Sequence, residues 1–232
     1  MTFIQHELIE VMIFFLIIKK NSVRIKKKNF IDLKGKKLWK ITVEKLKNYK
    51  VYIDTDSEEI IQECKKKYKH VTAYKRDKKF IDFENNDTGL SPVLLLIKNF
   101  LIKFNIDQNE SIITTHVTSP YIRLKTIIKA EKYLKKYEFV HSVSIHHEFG
   151  LLIKNNKFKE INFKINKVQK TQNLEPIYFS NGAFFIFKKK TFLKYNNRLG
   201  KNTYFFPIKF PETIEIDTHS DIDVAQNIKF KI

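Results

Sequence analysis

The strongest constraint on the fold is an unbroken apolar run, residues 11–18, which leads directly into a loop rich in Lys, Arg and Asn. Continuous apolar residues are typical of a parallel strand that is covered on both faces. The run is too short to cross a bilayer, and it lacks the basic start and cleavage site of a signal peptide. We therefore predict a buried strand and no membrane insertion.

Strand-like and helix-like segments alternate after this first strand. This alternation predicts a mostly parallel, doubly wound sheet with helices on both faces, a three-layer α/β/α, Rossmann-like fold. We expect residues 1–232 to form a single domain. The further strands are predicted at residues 51–53, 70–74, 111–115, 139–145, 179–187, 204–207 and 213–217. The helices are predicted at residues 38–46, 57–68, 92–104, 121–137, 191–199 and 220–227.

Two segments depart from the alternation. Residues 75–87 are polar and are predicted to be irregular. Residues 146–178 alternate apolar and polar side chains around a turn-like Asn155-Asn156 pair. This second pattern predicts a β-hairpin that leaves the main sheet and returns to it, which we call the arm.

Composition limits the classes of partner and compartment. The formal net charge of +19 could indicate a nucleic-acid binder, but Lys accompanies Ile, Phe and Asn throughout the chain. Aromatic residues are not interleaved with Arg as in RNA-binding domains, so we expect no nucleic-acid partner. The single cysteine, Cys64, allows no internal disulfide, and no metal-type Cys/His spacing is present. Both features are typical of a reducing cytoplasm.

The loop after the first strand concentrates positive charge beside Asn21 and Ser22. Cations and exposed N–H groups at a strand exit are what a polyphosphate requires. The loop lacks the Gly-Lys-Ser/Thr ending of a Walker P-loop. A solvated basic loop is the alternative, and composition alone favours it. The cations are Lys19, Lys20, Arg24, Lys26, Lys27 and Lys28.

A pair of acids stands near the C-terminus. In a strand, residues two apart face the same way, so Glu215 and Asp217 project together while Ile214 and Ile216 pack behind them. Two neighbouring carboxylates repel, and a bound cation such as Mg²⁺ relieves the repulsion. The exposed polar face of an edge strand is the alternative.

Two weaker signals have structural interpretations. Asp56 is expected to cap the following helix. His141, His146 and His147 are expected to be surface histidines rather than metal ligands.

Taken in order, these motifs resemble the acylneuraminate cytidylyltransferase family, whose members activate 3-deoxy-sugar acids. The family opens with Arg-x-x-Ser-Lys-x-x-x-x-Lys-Asn, and here Lys19, Ser22 and the Lys28-Asn29 pair occupy matching positions. Together, these motifs in the family's order favour the functional interpretation of the loop and of the acid pair. The similar segments are residues 19–29, 33–38, 51–60, 76, 87–91, 116–120, 181–184, 214–218 and 221–225.

The resemblance implies a reaction and a set of roles. CTP and a 2-keto-3-deoxy sugar acid would give a CMP-sugar and pyrophosphate, with Mg²⁺ as cofactor and the arm joining two copies in a homodimer. The implied catalytic residues are Lys19, Arg24, Lys28 and Asp217. The implied nucleotide-binding residues are Lys19, Asn21, Ser22, Lys28, Asn29, Arg76 and Ser91. The implied sugar-binding residues are His116, Thr118 and Asn181, and the implied metal ligands are Glu215 and Asp217.

Several positions depart from the family pattern. Val23 stands where the family has Lys, His116 where it has Gln, and Glu215 where it has Asp. The acceptor therefore stays open. The alternatives are a nucleotidyltransferase for another sugar or alcohol on the same scaffold, and a non-catalytic relative that binds through its basic surface.

Overall fold

The computed structural model describes residues 12–22, 24–86 and 89–230. Val23 and the Asp87-Thr88 pair lie outside these ranges, so the expectations placed on them are not examined by the structure. The strands are β1 (Met12–Ile18), β2 (Asp32–Leu33), β3 (Lys36–Lys37), β4 (Lys50–Thr55), β5 (Val71–Lys75), β6 (Ser111–Thr115), β7 (Phe139–His146), β8 (Leu151–Lys154), β9 (Lys157–Glu160), β10 (Ile177–Lys188) and β11 (Thr203–Pro207). The helices are α1 (Leu38–Lys45), α2 (Glu58–Lys67), α3 (Lys78–Asn85), α4 (Val93–Lys103), α5 (Leu124–Glu131), α6 (Lys189–Tyr195) and α7 (His219–Asn227).

Within the described ranges, seven strands form the main sheet in the order β11-β7-β10-β6-β1-β4-β5. Strand β1 pairs in parallel with both β4 and β6. The pairs β4–β5 and β7–β11 are also parallel, whereas β10 runs antiparallel to its neighbours β6 and β7. The predicted mostly parallel, doubly wound sheet is confirmed. Among the helices that the structure describes, none is long and apolar enough to cross a membrane.

Strand β1 is buried on both faces, as its continuous apolar sequence predicts. Phe14 and Leu16 belong to one apolar cluster with Trp39 of α1, whereas Phe15 belongs to another with Phe100 of α4. Each of these side chains is fully buried. Packing on both faces fixes the carboxyl end of β1, and hence the point from which the cationic loop departs.

The carboxyl ends of β1, β4 and β6 lie at one edge of the sheet because these three strands are parallel neighbours. In open α/β sheets ligands bind beyond this edge. The loop of residues 19–27 leaves β1 there, and the turn of residues 116–120 leaves β6 there. The topology alone therefore brings two of the predicted site segments together.

The predicted strand at residues 213–217 is wrong. The segment is irregular, and one backbone hydrogen bond, from Ile216 N to Thr118 O at 2.7 Å, fixes it beside the exit of β6. The predicted alternation of buried and exposed side chains is nevertheless present, because Ile216 is fully buried while Glu215 and Asp217 line a cleft. An anchored extended segment therefore presents the acids as a strand would.

Three other expectations are corrected. Residues 75–87, predicted to be irregular, contain α3, which buries Phe80. The predicted helix of residues 121–137 is shorter, because α5 passes into a 3₁₀ turn, Lys132–Lys135. The cap of α2 is Ser57, whose hydroxyl accepts the N–H of Ile60, while Asp56 accepts the N–H of Lys20.

The predicted hairpin in the arm is present. Strands β8 and β9 form a two-stranded antiparallel sheet separate from the main sheet. Asn155 and Asn156, with φ of 51° and 58°, make its turn, a conformation that Asn tolerates. The arm leaves at the end of β7 and returns into β10, which pairs with β7 from Ile177 opposite His146.

We predict that Ile216→Ala lowers the free energy of unfolding by about 2–5 kcal/mol, because it leaves a cavity beneath the acid pair. Chemical denaturation monitored by circular dichroism measures the change. The matched control is Ile102→Ala, at a side chain of α4 that is 64% exposed; its expected change is about 0.5 kcal/mol or less. Equal effects in the two variants would show that Ile216 does not anchor the segment.

Candidate functional site

A cleft of about 350 Å³ opens at the carboxyl edge of the sheet. Ten of the predicted site residues line it together: Lys19, Ser22, Arg24, Lys28, Asn29, Ser91, His116, Thr118, Glu215 and Asp217. Its apolar wall comes from Ile17, Val93, Leu96 and Val117. Two cavities of about 670 and 500 Å³ lie on the arm and beside Phe230, and neither holds these residues. The smaller cleft is therefore the candidate site.

The first loop and the last segment meet inside this cleft. Lys28 Nζ lies 2.6 Å from Asp217 Oδ1, and Arg24 Nη2 lies 2.9 Å from the same oxygen. The Lys28 side chain is mostly buried. Lys27 takes a left-handed φ of 54°, and a short 3₁₀ turn, Lys28–Phe30, begins directly after it. The Asn29 side-chain amide donates a hydrogen bond of 2.8 Å to Lys19 O, which connects this turn to the end of β1.

Helix α7 holds the backbone of Asp217. Thr218 caps this helix, and the Asp221 carboxylate accepts the N–H groups of Asp217 at 2.9 Å and of Thr218 at 2.7 Å. Burial alone would raise the pKa of Asp221, but these hydrogen bonds outweigh it and hold the pKa below 3.8. The capping box therefore fixes the direction in which Asp217 enters the cleft.

Glu215 belongs to the side of the cleft formed by the exit of β6. Its Oε1 lies 3.2 Å from His116 Nδ1 and accepts a hydrogen bond from the Thr118 hydroxyl at 3.3 Å. Gly182 of β10 lies against this group with φ of 68°, and a Cβ there would sit 3.4 Å from Glu215 Oε2 and from the His116 ring. The sequence predicts a family-like motif at residues 181–184 but no role for Gly182, whose positive φ permits this close approach.

Arg76 does not line the cleft. It is 2% exposed, and its guanidinium binds the buried Asp54 and lies 3.4 Å from Glu84 Oε2. Glu84 does line the cleft and forms an ion pair with Lys19. Burial raises the pKa of Asp54, which the charge of Arg76 opposes. Arg76 therefore acts on the cleft through Glu84. The polar sequence of residues 75–87 predicts no helix, so it gives no sign of this residue.

Two further predicted residues stand outside the lining. Asn21 is exposed on the loop. Asn181 Oδ1 accepts the Ser142 hydroxyl at 2.7 Å, and its Nδ2 is buried without a partner among the described residues. His141, expected at the surface, is instead 1% exposed, and burial lowers its pKa to about 4.

The donor set of the cleft suits a hard cation that also binds phosphate. Within the described ranges, no group of three or more His, Cys, Asp or Glu side chains could hold a metal alone. Glu215 and Asp217 nevertheless offer carboxylate oxygens in one cleft. Mg²⁺ is commonly bound by one or two carboxylates together with substrate phosphates, so these two residues fit Mg²⁺. Covalent catalysis by Cys64 is disfavoured, because burial raises its thiol pKa to about 12.

Comparison with known proteins gives a family match over most of the chain. A family model described as "Cytidylyltransferase" matches residues 19–231. N-acylneuraminate cytidylyltransferases of Streptococcus agalactiae serotype V (strain ATCC BAA-611 / 2603 V/R) and serotype III (strain NEM316) are each 24% identical over 131 residues. The match covers 54% of this chain and 31% of each relative, so the matched part spans about a third of their length.

Solved structures share the fold. A CMP:2-keto-3-deoxy-manno-octonic acid synthetase complexed with CTP has a TM-score of 0.60 at 10% identity, covering 93% of this chain and 97% of that one. A 4-diphosphocytidyl-2C-methyl-D-erythritol synthase from Anaerococcus prevotii has a TM-score of 0.59 at 15% identity, covering 94% and 97%. The two scores are nearly equal, so the likeness concerns the scaffold and does not distinguish acceptors.

We predict that Asp221→Asn lowers the thermal unfolding midpoint at pH 7. The folded-state pKa of Asp221 is depressed, so its stabilisation is present above 3.8 and is lost as pH falls through the lower folded value. The difference between wild type and variant should therefore shrink as pH falls below 3.8. Differential scanning calorimetry across this range measures it, and a difference independent of pH would contradict the assigned hydrogen bonds.

Proposed function

The chain belongs to the cytidylyltransferase family, and we propose that it transfers CMP from CTP to the anomeric hydroxyl of a 2-keto-3-deoxy sugar acid, releasing pyrophosphate. One observation carries the proposal. Lys28 and Arg24 of the first loop and Asp217 of the last segment meet in a single cleft. Such a cleft offers cations and acids to one polyphosphate ligand.

The cations of the cleft would bind the triphosphate. Lys19 contacts Glu84, and Arg24 and Lys28 share Asp217, so each of these cations has an acidic partner within the cleft. Phosphate oxygens are strong acceptors for such donors, and Arg can bind them with two parallel hydrogen bonds. An incoming triphosphate would take over these cations and leave Glu84 and Asp217 free to bind other groups.

Glu215 and Asp217 would hold Mg²⁺. When bound, the ion would neutralise developing charge on the phosphates and help to orient the attacking oxygen. The chain's own contribution is to fix the two carboxylates, through Thr118 and His116 on one side and Asp221 on the other.

The remaining cleft residues would separate the two substrates. Ser22, Asn29 and Ser91 line the part of the cleft that we assign to cytidine, and His116 and Thr118 line the acceptor side. Displacement at the α-phosphate needs the acceptor hydroxyl in line with the leaving pyrophosphate. Catalysis would therefore rest on positioning and charge stabilisation rather than on a covalent intermediate.

The roles of three residues change with the geometry. Arg76 would position Lys19 through Glu84 instead of touching the nucleotide. Asn181 does not line the cleft, and it would stabilise the acceptor side of the cleft through the hydrogen bond that it accepts from Ser142. Asn21 keeps only the role that the family resemblance gives it. CTP and the acceptor acid are expected to be used in the cytoplasm.

The direct test mixes the protein, CTP and MgCl₂ with a panel of acceptors and measures pyrophosphate release. The panel contains sialic, legionaminic, pseudaminic and octulosonic acids, together with a phosphorylated sugar alcohol. Release with one acid supports the proposal. Release with the sugar alcohol alone would point to another nucleotidyltransferase, and no release together with no CTP binding by calorimetry would point to a non-catalytic relative.

We predict that Asp217→Asn lowers kcat by at least about a hundredfold without unfolding the chain, because the variant loses charge at the proposed metal ligand and at the contact with Lys28. Pyrophosphate release measures turnover, and circular dichroism checks the fold. The control is Asp223→Asn, at an exposed residue of α7, and its expected turnover is that of the wild type. Turnover of Asp217→Asn within a few-fold of wild type would refute the assignment.

We propose further that the arm, residues 146–178, joins two copies of the chain. Strands β8 and β9 are exposed along nearly their whole length and, among the described strands, pair only with each other. Leu152, Ile153, Ile165 and Val168 are 61%, 73%, 61% and 83% exposed. Apolar exposure concentrated in one protruding segment is typical of a protein contact surface.

We predict that Ile153→Asp shifts the protein from dimer to monomer in sedimentation-velocity experiments, since it places a charge within the proposed apolar contact. The control is Ile102→Asp, at a side chain of α4 that is 64% exposed. This second variant should sediment as a dimer, as the wild type is expected to do. A wild-type monomer, or equal behaviour of the two variants, would contradict the role of the arm.

A further inference from the structure

A partly buried lysine of α1, Lys45, binds the turn that leaves β6. Its Nζ donates hydrogen bonds to Pro120 O at 2.8 Å and to Ile122 O at 2.7 Å. Residues 117–122 are all buried, so these carbonyl groups need donors from the protein itself. Lys45 stands in the last turn of α1, where the helix dipole favours a cation. One side chain of α1 thus satisfies two carbonyl groups of a distant segment.

The same segment carries two side chains of the cleft. His116 and Thr118 line the cleft. Two backbone hydrogen bonds close residues 116–122, which we call the exit turn: Ser119 N to His116 O at 3.1 Å, and Ile122 N to Ser119 O at 3.3 Å. A shift of the end that Lys45 holds would therefore also move the end that faces the cleft.

A buried acid holds the residues that follow the exit turn. Glu212 is 4% exposed, and it accepts the N–H and the guanidinium of Arg123, each at 2.9 Å, and the hydroxyl of Thr126 at 2.7 Å. Burial lowers the pKa of Lys45 to about 8, and the charge of Glu212 opposes this decrease. Lys45 is therefore mostly charged at neutral pH, and its bonds to the exit turn are charge-assisted.

Two cavities flank the contact between Lys45 and the exit turn. One, of about 500 Å³, lies beside Phe230, and the other, of about 340 Å³, is bounded by Pro120, Ile122 and Arg123. Lys45 lines both. The two carbonyl groups thus border open space, so their hydrogen bonds to Lys45 supply a constraint that close packing does not. The cavities also leave room for a larger side chain at position 45.

We propose that Lys45 is a positioning residue for the acceptor, because it fixes the exit turn and thereby the places of His116 and Thr118; this role rests on the proposed function. Lys45 is not among the described residues that line the cleft, so it would act through the turn and not by touching a substrate. The effect would extend to the metal site, because the Thr118 hydroxyl donates to Glu215.

The nucleotide side of the cleft is held by other contacts. The loop of residues 19–27 follows β1, which is packed on both faces. Asn29 connects the end of this loop to Lys19 O, and Asp221 accepts the backbone N–H of Asp217. Loss of Lys45 should therefore impair the use of the acceptor more than the binding of CTP.

The test compares Lys45→Met, which keeps an unbranched side chain but removes its N–H donors, with Lys45→Arg, which retains donors and charge. The matched control is Lys189→Met. Lys189 is 9% exposed and also donates to a backbone carbonyl, that of Ile106, but it follows the end of β10 that pairs with the start of β6, away from the cleft. Circular dichroism sets an assay temperature at which every variant is folded.

Lys45→Met should lower kcat/KM for the acceptor by about tenfold to a hundredfold, since small displacements of positioning groups have effects of this size. The Kd for CTP, measured by calorimetry, should stay within about twofold of the wild type. Lys45→Arg should restore most of the loss, and Lys189→Met should lose stability but keep kcat/KM. If Lys45→Met does not fold, Lys45→Gln, which keeps a donor without the charge, takes its place with the same expectations.

Unchanged acceptor kinetics in Lys45→Met, or an equal loss in Lys189→Met, would overturn the proposal, as would a parallel loss of CTP affinity. Hydrogen–deuterium exchange tests the same contact without turnover. Lys45→Met should speed exchange in the exit turn and leave residues 19–29 unchanged, and Lys45→Arg should exchange as the wild type does. This result in a protein that releases no pyrophosphate would support the role of Lys45 in holding the turn and refute the proposed reaction. Faster exchange throughout the chain, or none in the exit turn, would contradict that role.

Discussion

The rest of the site depends on the contact that Lys28 and Arg24 make with one oxygen of Asp217. The Lys28–Asp217 bond joins residues 189 positions apart, so it forms only when the whole sheet is assembled. Its two ends are fixed by different means. The packing of β1 on both faces places the loop, whereas the burial of Ile216 and the cap of α7 place the acid.

The same contact explains how a strongly basic chain can keep a cleft ready for an anion without holding unpaired charges in it. Lys19 faces Glu84, and Lys28 faces Asp217. Ion pairs that are partly exposed contribute little to stability, so exchanging them for phosphate oxygens costs little. Asp217, one of the two acids released in the exchange, is also one of the two proposed ligands of the divalent cation. Binding of nucleotide and of metal would therefore reinforce each other within one set of side chains.

Much of the fold could be predicted from sequence because its signals are local. The apolar run of β1 and the two-residue spacing of Glu215 and Asp217 each report on their own segment. The errors concern contacts between distant segments. Neither the helix that carries Glu84 nor the burial of Arg76 against Asp54 is visible in local spacing, and Ser57 was overlooked as a cap because Asp56 stands beside it. His141 is buried by stacking on Phe185 of another strand, which no single-strand pattern reports.

The central claim is that the loop after β1 and the acids at residues 215 and 217 bind the same nucleotide. The most direct measurement is a crystal structure of the protein grown with CTP and Mn²⁺, with anomalous scattering used to locate the metal. The account predicts phosphate oxygens within hydrogen-bond distance of Lys28 and an anomalous peak at the carboxylates of Glu215 and Asp217. A triphosphate bound elsewhere, with Lys28 still paired to Asp217 and no metal between the acids and the phosphates, would contradict it.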